Sequence, residues 1–89
     1  MDDRRPTKSD VRDYLTHLLV EVAKIPPTQV VDGACLNAAL KVESVAFIEI
    51  QVALEERFDI EIDLVEVLER NEFQAIVDYL YEAIRRRTP

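Results

Sequence analysis

One glycine, one cysteine, one histidine and no tryptophan occur among the 89 residues. Each scarcity narrows what the chain can do. Cys35 has no second cysteine to pair with, so nothing points away from a reducing cytoplasm, and without a neighbouring His or a CxxC motif it reads as a small buried or half-buried residue. His17 is the lone histidine, and it falls on the first helix, where it reads as a surface or boundary residue; a triad base could come only from there. Basic residues are also short, 11 against 18 acidic, for a net charge of −7. Phosphate backbones need the opposite balance, so nucleic acid is disfavoured and partners with a basic patch are favoured. The opening residues "MDDRRPTKSD" hold no apolar run, which excludes a signal peptide there, and no stretch is long enough for membrane insertion.

What is present suits one small folded domain. Apolar residues make up 48% and charged residues 33%, enough for a single modest core. Ser9 is the expected N-cap of a first helix, with Asp10 and Asp13 in its first turn. Val11, Leu15, Leu18 and Val22 recur at helical spacing, widened by Tyr14, Leu19 and Ile25, until Pro26 and Pro27 end the run. A long loop follows to about Glu43. Its Val30, Val31, Leu36 and Leu40 are too apolar for a free linker and should pin it to the core. A second helix spans Ser44 to Phe58. Asp63 and Glu66 read as a capping box opening a short third helix through Val65 and Leu68. Asn71 and Gln74 read as a weaker one before a last helix with Phe73, Ile76, Leu80 and Ile84 on one face. Arg85, Arg86 and Arg87 suit the dipole at its end. "FDIEID" alternates but has no partner strand. The expected fold is all-α, a small bundle of three main helices and one short one.

The second helix carries two apolar faces. At about 100° per residue, Phe47, Ile50, Leu54 and Phe58 fall in one stripe, which satisfies the core. Val45, Ile48 and Val52 cluster opposite, flanked by Glu49, Glu55 and Glu56. Full burial would bury those glutamates too. The strip is therefore either a docking surface for a basic, grooved partner or a scatter of ordinary surface residues. Ser44 sits at the head of this helix, where free amides and the dipole favour a phosphate, although many such serines only cap. A hydrolase elbow is excluded, because Val42 and Ala46 stand where G-x-S-x-G needs glycines.

"LKVESVAFIEIQVALEERFDIEID", Leu40 to Asp63, resembles the central stretch of acyl and peptidyl carrier proteins: L-G-x-D-S-L, a helix ending L-E-E-x-F, then x-I-x-I. Leu40, Ser44, Leu54, Glu55, Glu56, Phe58, Ile60 and Ile62 match in identity and spacing. "IPPTQVV" and "NEFQAIVDYLYEAI" extend the likeness over nearly the whole chain, with an ending more like carriers of polyketide and nonribosomal peptide synthases than of fatty acid synthesis. The resemblance implies that Ser44 carries covalent 4'-phosphopantetheine, taken from coenzyme A by a phosphopantetheinyl transferase. The arm would hold an acyl or aminoacyl unit as a thioester, supplied by a loading enzyme and presented to acyltransferase or synthase partners with basic docking patches. Recognition would fall on Glu43, Val45, Ile48, Glu49, Val52, Glu55 and Glu56, with no catalytic and no metal-binding residue.

Three positions depart from the pattern. Lys41 replaces glycine, Glu43 replaces aspartate and Val45 replaces leucine. These changes fit a specialised carrier with its own partners better than a housekeeping fatty acid carrier. "DIEID" is not a calcium loop, since it lacks the EF-hand glycine and spacing; Asp59 and Glu61 should be solvated, Ile60 and Ile62 buried. At most one of Tyr79 and Tyr81 can be core. The expected layout is a flexible segment 1–8, a bundle 9–86 and a tail 87–89, forming a complete monomeric cytoplasmic protein. The competing reading is a carrier-like helical adaptor that bears no arm and binds its partner only through the outer face of the second helix.

Overall fold

The computed structural model describes residues 6–35 and 43–87, which form four α-helices: α1 (Lys8–Glu21), α2 (Ser44–Phe58), α3 (Leu64–Arg70) and α4 (Phe73–Arg87). A 3-10 turn, Pro27–Gln29, lies in the loop after α1. Among the described residues the only β pairing is an isolated bridge between Cys35 and Glu72. α1 packs chiefly against α4, with smaller contacts to α2, while α3 packs on α4. The all-α expectation holds.

One apolar core joins the four helices. Val11, Leu15, Leu18 and Leu19 enter it from α1, Phe47, Ile50 and Leu54 from α2, and Phe73, Ile76, Val77, Leu80 and Ile84 from α4. Each large side chain so buried contributes about 1.5–3 kcal/mol. Phe58 is half-buried and meets Tyr14 edge-to-face at 5.7 Å between ring centroids. Ile60 and Ile62 are buried and Asp59 and Glu61 exposed, as the alternation in "FDIEID" predicts. Tyr79 and Tyr81 are both half-buried.

Helix ends depart from the sequence reading in four places. Thr7, not Ser9, caps α1: its Oγ1 accepts from Asp10 N–H at 3.1 Å, and Asp10 Oδ2 accepts from Thr7 N–H at 2.9 Å. A cap at Ser9 would place Arg12 at the third position, with no acceptor to close the box. At the other end α1 stops at Glu21, ahead of the prolines; Lys24 takes a left-handed φ of 62°, and Ile25 N–H returns to the Leu19 carbonyl at 3.1 Å. Asp63 caps α3 through Val65 N–H at 3.0 Å, but its own N–H donates to the Tyr79 hydroxyl instead of to Glu66, which pairs with Arg70. The buried residue of α3 is Val67, while Val65 and Leu68 are exposed.

Asn71 closes α3, at a φ of 66°, and does not open α4. The first amides of α4 are satisfied by the long loop: Phe73 N–H donates to the Ala34 carbonyl at 2.8 Å and Gln74 N–H to that of Asp32 at 3.0 Å. The loop is thus pinned, though largely by its backbone. Ala34 is buried and Val30 half-buried, whereas Val31 is 54% exposed, against expectation. Leu36, Leu40 and Lys41 lie outside the described residues. Charged contacts add to the α1–α4 seam, where Lys8 Nζ lies 2.9 Å from Asp78 Oδ1. That hydrogen bond holds the Asp78 carboxyl below its ordinary range against the opposing effect of partial burial, with help from the Gln74 amide and the Lys8 charge.

Candidate functional site

The site begins at the head of α2. Glu43 is extended (φ −74°, ψ 154°), and its carbonyl accepts the first helical bond, from Phe47 N–H at 2.9 Å. Its side chain makes no capping hydrogen bond, as expected from a carboxylate displaced by an extra methylene. Ser44 is the first residue of a 15-residue helix. Amides in that first turn have no intrahelical acceptor, and the helix dipole makes their neighbourhood favourable to an anion. A phosphate diester on the Ser44 hydroxyl fits this donor set.

Below that head, α2 is rotated as its two stripes require. Phe47, Ile50 and Leu54 are buried, while Val45, Ile48 and Val52 are 67%, 53% and 46% exposed. Glu43, Glu49 and Glu56 are exposed as well, so the apolar strip and three expected carboxylates share open surface. The fourth carboxylate does not. Glu55 is half-buried, and its Oε2 accepts from Ile62 N–H at 2.8 Å. It serves the fold, which corrects its expected place on the recognition face. Gln51, one turn earlier, donates from Nε2 to the Ile62 carbonyl at 3.2 Å. Sequence reasoning passed over Gln51, although its four-residue spacing from Glu55 put the two on one face. Cys35 is half-buried and His17 exposed, stacked 6.2 Å from Tyr14.

Comparison with family models supplies the remaining observation. The model described as the phosphopantetheine attachment site matches residues 13–80. The chain belongs to that family. It is a phosphopantetheine carrier, in a family that attaches 4'-phosphopantetheine covalently and whose carrier domains are not enzymes. Comparison of the carrier with curated proteins gives no match. Among the described residues no helix of the carrier is long and apolar enough to cross a membrane.

Proposed function

We propose that Ser44 is the attachment point and that the carrier serves a specialised biosynthetic pathway, nearer to polyketide or nonribosomal peptide assembly than to housekeeping fatty acid synthesis. The observation that supports Ser44 is its position. Of two serines in the chain, Ser9 and Ser44, only Ser44 lies within the matched span 13–80. Ser9 sits in the first turn of α1, whose amides meet the Thr7–Asp10 box and a carboxylate hostile to phosphate. Ser44 heads a helix with no such side-chain cap.

In this reading the Ser44 hydroxyl displaces the adenosine bisphosphate portion of coenzyme A at the pantetheine phosphate, helped by a separate transferase. When bound, the arm supplies a terminal thiol that carries an acyl or aminoacyl unit as a thioester. The first-turn amides of α2 face the negative phosphodiester favourably. Val45, Ile48 and Val52 offer a partner an apolar strip, and Glu43, Glu49 and Glu56 orient it on a basic patch. The partners are the transferase, a loading enzyme and acyltransferase or synthase enzymes; the carrier acts as a cytoplasmic monomer. Incubation with coenzyme A, magnesium and a promiscuous transferase, followed by peptide mapping, tests the assignment. Modification on the peptide containing Ser44 supports it, and modification elsewhere removes it.

A further inference from the structure

The segment between α2 and α3 is gripped at a single residue. Gln51 donates to the Ile62 carbonyl at 3.2 Å and Glu55 accepts from the Ile62 N–H at 2.8 Å. Two side chains one turn apart on α2 therefore engage both backbone polar groups of Ile62, much as a neighbouring strand would. The next N–H, of Asp63, donates to the Tyr79 hydroxyl of α4 at 3.0 Å. The strap is thus tied to α2 on one side and α4 on the other. Beneath it lies an apolar cavity of about 20 Å³, walled by Phe47, Leu54, Ile62, Val67 and Leu80. One water needs roughly 10–15 Å³ on such a measure, so the space holds a single small group.

We infer that Gln51 and Glu55 determine which cargo the carrier accepts in its interior: by holding Ile62 across the cavity, they keep the carried unit outside the bundle. An alkyl chain would enter between α2, α3 and α4 only after Ile62 moved away, leaving its amide and a carboxylate without each other. Short or polar units, which gain little from an apolar interior, are the class this arrangement suits. The inference rests on Ser44 as the attachment point.

The test uses the full chain, wild type, Gln51→Ala, Glu55→Ala and Glu55→Gln, each charged from acetyl- and octanoyl-coenzyme A by a promiscuous transferase. Methyl spectra of Leu54, Ile62 and Leu80 are compared between cargoes, alongside the rate of thioester cleavage by hydroxylamine. Wild type should give the same interior methyl shifts and the same cleavage rate for both cargoes. Glu55→Ala, and to a smaller degree Gln51→Ala, should let the octanoyl form alone shift those methyls and resist cleavage. Glu55→Gln keeps an acceptor oxygen and should behave like wild type. Octanoyl-dependent methyl shifts in wild type would overturn the inference, as would an unshifted octanoyl Glu55→Ala. Amide exchange at Ile62 in the uncharged proteins is read separately. Loss of one charge-assisted hydrogen bond should speed it about tenfold in Glu55→Ala, and an unchanged rate would also overturn the latch. If no cargo loads on Ser44, the attachment reading fails and the cargo claim with it, while the exchange rate still judges the latch.

Discussion

Arg12 in α1 donates from its guanidinium to Gln74 Oε1 in α4 at 2.5 Å, 62 residues along the chain. The same guanidinium pairs with Asp32 in the long loop and lies 5.0 Å from the centroid of the Phe73 ring. One side chain thus ties the first helix, the loop and the start of the last helix, beside the carbonyls that satisfy the α4 amides. Arg12→Ala should cost about 1–2 kcal/mol through the lost hydrogen bonds and ring contact. Urea melts, with amide exchange at Phe73 and Gln74, check it; a change confined to the surface pair with Asp32 would leave both nearly unaltered.

The rotation of α2 predicts opposite outcomes on its two faces. Leu54 is 4% exposed and Ile48 is 53% exposed. Leu54→Ala should cost on the order of 2–5 kcal/mol, whereas Ile48→Ala should stay within about half a kcal/mol. Partner binding should respond the other way, with Ile48→Ala costing about 1–3 kcal/mol if it is an anchor. Denaturation paired with a transfer assay by the cognate enzyme separates the two.

Charge on the outer face should govern encounter. Glu49→Lys and Glu56→Lys are predicted to slow association with a basic partner, with a penalty that shrinks as salt is raised, because exposed charges are screened beyond a Debye length. Stopped-flow association at low and high salt reads this directly. Glu55→Lys should differ by disturbing the Ile60–Asp63 segment, which contains the amide that Glu55 accepts.

Asp78 gives a pH signature. Its folded pKa lies below the ordinary 3.8, led by the hydrogen bond from Lys8. A lowered folded pKa stabilises the fold above the unfolded value, and that contribution is lost as pH falls through the folded one. Both side chains are about half exposed (50% and 51%), so screening should keep it below about half a kcal/mol. The stability gap between wild type and Lys8→Ala should therefore be present at neutral pH and vanish in acid, and the Asp78 titration should move up in Lys8→Ala.

Much of this was legible from periodicity. The stripes of α1, α2 and α4 identify their buried faces, since burial follows the 3.6-residue repeat. The Ser44–Phe58 span of α2 and the exposure of Val45, Ile48 and Val52 follow from the same pattern. Caps were less legible because several polar residues could serve locally and distant partners decided among them. Tyr79 took the amide that Glu66 would have taken, and loop carbonyls took those that Asn71 would have served. Glu55 and Gln51 were hidden for the same reason: their roles depend on the path of the chain at Ile62, which no local pattern encodes.

The most direct test of the account is the intact mass of the wild type and of Ser44→Ala after incubation with coenzyme A, magnesium and several phosphopantetheinyl transferases, including one encoded nearby. The wild type should gain the mass of one phosphopantetheine and Ser44→Ala should gain nothing. A wild-type mass unchanged with every transferase, or an equal gain in Ser44→Ala, would contradict Ser44 as the point where the arm is held.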